Sequence, residues 1–135
     1  FANTADLYST VLDMCGVPRE IAERDGRSLV PLVRGESGVP WPEACVTHGL
    51  SATALLCSHR MVRWDKYKYV FYSSGTDELY DLDADPWELE NLINEKTSSS
   101  VLTECRFRLA QWMHEKGDKA LRDFCVLRSI DQSQL

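Results

Sequence analysis

Met61-Val62-Arg63-Trp64-Asp65-Lys66-Tyr67-Lys68-Tyr69-Val70-Phe71-Tyr72-Ser73, followed by Glu78-Leu79-Tyr80-Asp81-Leu82, is the stretch that decides the fold. Its β-branched and aromatic residues suit a pleated, half-buried surface. Met61 to Trp64, Tyr67 to Ser73 and Glu78 to Leu82 read as three strands. Asp65-Lys66 has the length of a two-residue hairpin turn. It lacks the usual Gly, although Asp tolerates positive φ better than most residues. Ser73-Ser74-Gly75-Thr76-Asp77 makes the next turn. With Ala44 to His48 as a further strand upstream, the pattern predicts a small antiparallel sheet of three to four strands flanked by helices, an α+β arrangement.

Helices frame this sheet on both sides in sequence. Residues 4–15 read as a helix: Thr4 as cap, Asp6 in the first turn, and Leu7, Val11 and Leu12 at helical spacing. Gly16 is its stop, and Pro18 follows. Ser28 to Val33 is one or two helical turns ended by Gly35, and Gly35 to Pro42 is a loop. After the strands, Asp85-Pro86 is expected to start a helix with Leu89, Leu92 and Ile93 on its buried face. Thr97-Ser98-Ser99-Ser100 caps the longest helix, which runs to about Lys116 with Leu102, Cys105, Leu109, Trp112 and Met113 as its apolar stripe. Gly117-Asp118 breaks it. A short segment with Leu121, Phe124 and Cys125 follows, and the tail after Arg128 reads as frayed.

The 135 residues suffice for one compact domain or one large piece of a bigger one. Hydrophobic residues at 44% and charged residues at 27% argue against disorder along the whole length. No apolar run approaches about 20 residues, so no membrane span is expected. The 21 acidic against 15 basic side chains, a net charge of −6, argue against a general nucleic-acid binder. The first residue is Phe1, with no signal segment after it, which reads as a piece whose beginning lies upstream or as a processed chain. Cys15, Cys45, Cys57, Cys105 and Cys125 are scattered, without a C-x-x-C pair. They read as free thiols in a reducing, cytoplasmic compartment, with one or two disulfides left open.

Several residue groups invite a chemical reading. The acids Asp81, Asp83 and Asp85 suggest a calcium loop. Counting from Asp81, however, an EF-hand needs Gly where Pro86 stands and a bidentate acid where Leu92 stands. A strand end, turn and helix cap explain these acids. Cys45, His48, Cys57 and His59 match no common zinc spacing, and on one strand Cys45 and His48 point to opposite faces. A cysteine nucleophile needs a base, for which His48 and His114 are the candidates. Arg60, Arg63, Lys66 and Lys68 form a basic patch that either meets an anion or is the solvated side of a sheet paired with acids. His48-Gly49 follows a loop rich in Gly and Pro, and loops set on a rigid sheet often carry binding groups.

Three blocks together resemble the sulfatases of the alkaline phosphatase superfamily. Asp6 to Val17 looks like that family's late helix. Asp25-Gly26-Arg27-Ser28-Leu29-Val30-Pro31-Leu32-Val33-Arg34-Gly35 looks like the segment after it. Arg60 to Arg63, Tyr67 to Val70 and Glu78 to Leu92 look like the family's C-terminal hairpin and the stretch after that hairpin. The likeness covers residues 4 to about 95, and in the His48-Gly49 region and hairpin it is similar to choline-sulfatase-like members. Asp65 stands where many relatives place Gly.

The resemblance implies that residues 1–43 are a late helix and connecting segment of a main sulfatase domain, 44–128 a C-terminal subdomain, and 129–135 a tail. It implies a parent that hydrolyses sulfate esters with a formylglycine nucleophile and one divalent metal, calcium. The family's nucleophile lies in a Cys- or Ser-x-Pro-x-Arg motif. Cys15-Gly16-Val17-Pro18-Arg19 comes nearest, with Pro and Arg each one residue late. No catalytic or metal residue is therefore carried over, and the piece is expected to be inert alone. His48 is the one substrate-contact candidate. The implied partners are the main N-terminal domain and the ester substrate, with a homo-oligomer left open. The alternatives are a stand-alone interaction module of the same shape, or part of a related phosphatase or phosphonate hydrolase.

Overall fold

The computed structural model describes residues 1–17, 26–50 and 58–135. The features expected at Pro18, Arg19, Asp25 and Cys57 lie outside the described residues. Two compact units emerge, Phe1–Cys45 and Val46–Leu135, with the boundary inside the first strand.

In the first unit, α1 spans Thr4–Met14. Its cap is Asn3 rather than the expected Thr4. Asn3 keeps an extended backbone, its side-chain oxygen accepts the Ala5 N–H, and Asp6 Oδ2 accepts the Asn3 N–H at 2.6 Å. Thr4 is already helical, so its hydroxyl cannot serve as the cap. At the other end Gly16 takes φ 72°, and Val17 N–H returns to the Leu12 carbonyl at 2.9 Å, which closes the helix end.

The face that α1 buries is polar. Asp6, Ser9, Thr10 and Asp13 recur at helical spacing and hold the chain at 26–29. Asp6 Oδ1 accepts the Arg27 N–H at 2.8 Å, and Ser9 donates to the Gly26 carbonyl at 2.9 Å. Thr10 accepts the Leu29 N–H at 2.9 Å, and Ser28 donates to Asp13. Gly26 is required there, because a Cβ would lie 2.1 Å from the Ala5 carbonyl oxygen. Three of the apolar residues face outward instead: Leu7 and Val11 are 57% exposed and Met14 75%, while Leu12 is half-buried. A short helix α2, Val30–Val33, follows and ends at Gly35.

The second unit is built on a four-stranded sheet in the order β1 (Ala44–Leu50), β2 (Ser58–Trp64), β3 (Tyr67–Tyr72), β4 (Glu78–Asp81). Strands β2/β3 and β3/β4 are antiparallel. Their register aligns Val62 with Tyr69 and Tyr69 with Leu79, a row buried completely. The hairpin turn expected at Asp65-Lys66 is present, with Asp65 at φ 52°. β1 runs on to Leu50, so His48-Gly49 lie in a strand and not in a loop. The reason lies across the sheet. The His59 ring occupies the space beside Gly49, where a Cβ would come within 2.4 Å, and sits 6.1 Å from the Tyr72 ring.

The helix expected after Asp85-Pro86 does not form. Glu88 sits at φ 57°, outside the right-handed helical region, and only two 3-10 turns, Leu92–Asn94 and Lys96–Ser98, come before the next helix. Side chains take the backbone donors that a helix would have used. Asp85 accepts the Glu90 N–H at 2.8 Å and Asn91 the Ile93 N–H, and Asn91 is also tied to β4 by accepting the Leu79 N–H. Leu89, placed on the expected buried face, is 81% exposed.

Helix α3, Ser99–Glu115, lays Cys105, Leu109 and Met113 fully buried on the sheet, with Leu102 and Trp112 half-buried. Gly117 ends it at φ 61°, and α4, Leu121–Arg128, brings Phe124 edge-on to Phe71 at 4.7 Å. Residues Gln132–Gln134 close the chain as a 3-10 turn capped by Asp131.

Asp65 adopts the left-handed region without glycine's freedom, a strain of about 1 kcal/mol. Replacing it with Gly is expected to raise the urea midpoint at unchanged slope, by about that amount of stability. A lowered midpoint would show that the Asp65 side chain contributes more than its backbone costs.

Candidate functional site

His48 is exposed at the sheet edge. Its ring lies 6.2 Å from that of Trp112 on α3, inclined by 41°. Beside it, just past the end of α3, Asp118 takes the guanidinium fork of Arg60 from β2: Nε donates at 2.7 Å and Nη2 at 2.9 Å. Ala120 N–H donates to the same carboxylate at 2.9 Å. Both side chains of this pair are nearly buried, at 12% and 11% exposed. The Arg60 hydrogen bond holds the Asp118 carboxyl below its ordinary value. Burial opposes it, and the Ala120 N–H and the charge of His48 add to it.

The rest of the basic patch is paired on the sheet. Lys66 meets Asp81 at 2.7 Å and Lys68 meets Glu88 at 2.5 Å. Arg63 is exposed. Thus the acids of the 81–88 segment serve the lysines and the local turns, with Asp81 accepting the N–H groups of Asp83 and Ala84.

The four described cysteines are not arranged as nucleophiles. Cys15, Cys45, Cys105 and Cys125 are free thiols. Burial, with the charge of Glu104 added, pushes Cys105 up to about 12, so it stays protonated at neutral pH. Cys45 meets the Asn3 amide at 4.0 Å, and Cys15 is the exposed C-cap of α1. His114 is exposed in the last turn of α3. Among the described residues no group of three His, Cys, Asp or Glu side chains is placed to hold a metal ion. In the first unit a cleft of about 820 Å³ opens beside α1, lined by Ser9, Asp13, Arg27, Ser28 and Trp41 among others. Its polar groups are already engaged. Ser28 donates to Asp13, Arg27 donates to the Pro40 carbonyl, and Trp41 Nε1 donates to the Phe1 carbonyl.

One ionic cluster escaped the sequence reading, which placed Asp77 in a turn. Its side chain is 2% exposed. It accepts Arg128 at 2.5 and 2.6 Å, the Tyr69 hydroxyl at 2.6 Å and the Tyr72 N–H at 3.3 Å, with Arg106 at 3.6 Å. Burial alone would raise this carboxyl. The Arg128, Tyr69 and Tyr72 hydrogen bonds outweigh it and hold Asp77 below its ordinary 3.8. Burial and the bond to Asp77 push the Tyr69 phenol upward. No local pattern announces this, because Arg128 is 51 residues away.

Set beside known proteins, residues 1–115 match the family model described as N-sulphoglucosamine sulphohydrolase, C-terminal. The chain belongs to this sulfatase family. It is 35% identical over 117 residues to a Delta 4,5-hexuronate-2-O-sulfatase of Bacteroides thetaiotaomicron, covering 85% of this chain and 24% of that protein. It is 34% identical over 125 residues to a choline-sulfatase of Rhizobium meliloti, covering 87% and 23%. A solved 2-O GAG sulfatase superposes with a TM-score of 0.78 at 34% identity, covering 87% of this chain and 26% of that one. The chain thus spans about a quarter of the length of the relatives it matches and corresponds to their C-terminal part. The small antiparallel sheet with helices is the arrangement that sulfatase structures carry over this region. The described residues do not fit the metal and formylglycine that the sulfatase family implies. No donor set is present among them, and Cys15-Gly16-Val17 is committed to closing α1.

The Asp77 cluster of this sulfatase chain sets an acid limit. The folded state binds fewer protons at Asp77 than the unfolded chain, so this stabilisation is complete above about 3.8. It drains as pH falls through the depressed folded value. Replacing Asp77 with Asn leaves two arginines without their counter-charge and is expected to cost about 3–5 kcal/mol. Urea unfolding at pH 7 and pH 3 checks both, with the penalty of the variant shrinking at the lower pH.

Proposed function

We propose that this chain is the C-terminal part of a sulfate-ester hydrolase, in which it supports the main domain and walls one side of the substrate cleft. The observation that carries the reading is the family match across residues 1–115. On this reading residues 1–43 complete the main domain and 44–128 form the C-terminal subdomain. The outward Leu7, Val11 and Met14 of α1 support it, since a helix that spends its polar face on its own chain leaves an apolar face for a larger body to cover. On this reading the formylglycine nucleophile and the divalent ion, calcium, would be held by other residues of the longer protein. Such an ion would supply charge neutralisation at the sulfuryl oxygens. The free thiols support a reducing compartment such as the cytoplasm.

His48 is the substrate-facing residue of this portion. Its exposed imidazole donates to an ester or sulfate oxygen. It differs in this from His59, which is half-buried with its ring against Gly49.

The test compares sulfate release by the pure 135-residue chain with release by a longer protein that carries the chain as its C-terminal part. The short chain is expected to match a buffer blank and the longer protein to turn over. Reproducible turnover by the short chain, abolished by a substitution within it, overturns the proposal. So does a longer protein that hydrolyses no sulfate ester.

A further inference from the structure

We infer that Trp112 and the Arg60–Asp118 pair complete a substrate-contact surface around His48. Trp112 offers an aromatic face to the organic group of the ester, and the Arg60–Asp118 pair holds the end of α3 against β2 beside it. This rests on the reading of the chain as part of a sulfate-ester hydrolase.

Three elements converge on the spot: β1 with His48, β2 with Arg60, and α3 with its terminal turn, which brings Trp112 and Asp118. Trp112 precedes Met113, which is fully buried, yet stays half-exposed with its ring toward an exposed imidazole. A purely interior position is filled as well by an aliphatic residue. A half-exposed indole beside a hydrogen-bond donor has the form of a ligand-facing aromatic.

The charge balance narrows the ligand. Both Asp118 oxygens are taken by Arg60, and one of them also by Ala120 N–H. The carboxylate is therefore compensated, and it neither repels a sulfate nor cages a quaternary ammonium. Arg60 in turn cannot swing out to clamp an anion without stranding a nearly buried carboxylate. An imidazole N–H held beside an apolar aromatic face is left for a ligand. That suits an anionic ester on a ring, whose flat side rests on Trp112 while an oxygen accepts from His48.

The experiment is steady-state kinetics of the longer protein with 4-nitrophenyl sulfate, a 2-sulfated hexuronate and choline sulfate. His48→Gln and Trp112→Ala are each expected to raise KM for a ring-borne ester about ten-fold, with kcat held within about three-fold. Trp112→Phe restores most of the loss. Thermal midpoints of the variants should stay within about 2 °C of the parent. If Trp112→Ala does not fold, Trp112→Phe and His48→Gln still decide. Unchanged KM in an active parent overturns this inference alone, as does a preference for choline sulfate that Trp112 governs. A parent that hydrolyses none of the three removes the proposed function and this inference together.

Discussion

The second unit depends on one buried carboxylate. Asp77 ends the turn between β3 and β4, and its side chain collects Tyr69 from β3, Arg106 from α3 and Arg128 from the end of α4. Such a charge is tolerable in the interior only because every contact to it comes from a donor. The constraint works in both directions. The sheet places Tyr69 in the row with Val62 and Leu79, and Asp77 fixes how the two helices lie on that row. The Arg128 guanidinium also lies 5.1 Å from the Phe71 ring, next to the Phe71–Phe124 contact, so ionic and apolar packing share one location.

The first unit inverts the usual arrangement. A helix generally turns its apolar stripe inward. Here α1 turns Asp6 and Ser9 inward and uses them to hold the backbone of 26–29, with Gly26 permitting an approach that a Cβ would prevent. The consequence is an outward row of Leu7, Val11 and Met14. This arrangement agrees with a chain that spans about a quarter of its relatives' length.

The strands were legible because their signals are local. Aromatic and β-branched residues, a two-residue turn and a Gly-containing turn suffice for a meander, and Asp65 adopts the positive φ that the turn requires. The stops at Gly16, Gly35 and Gly117 were legible for the same reason. The helix after Asp85-Pro86 failed because Asn91 and Asp85 offered closer acceptors than a helix ladder would have given. One of the donors that Asn91 satisfies, Leu79 N–H, belongs to β4. The cap of α1 shifted from Thr4 to Asn3 because the reciprocal bond with Asp6 exists only at that offset. Of the candidate site, His48 was legible as a histidine near a sheet, but its neighbours Trp112 and Asp118 were not. Trp112 read as part of an apolar stripe and Asp118 as a helix breaker.

The sequence by itself determined the strand order of the hairpins, the main helices and the family resemblance, since each rests on residues a few positions apart. It also carried the missing nucleophile motif, which is a matter of spacing alone. Only the tertiary structure decided which charges are paired, which face of α1 is buried and what surrounds His48. Those outcomes join residues far apart in the chain: Arg60 with Asp118, Asp77 with Arg128, and Asp6 with the Arg27 backbone. Pairing at such separations is set by the geometry of the folded core, where a buried charge must find a partner whatever its position in the chain.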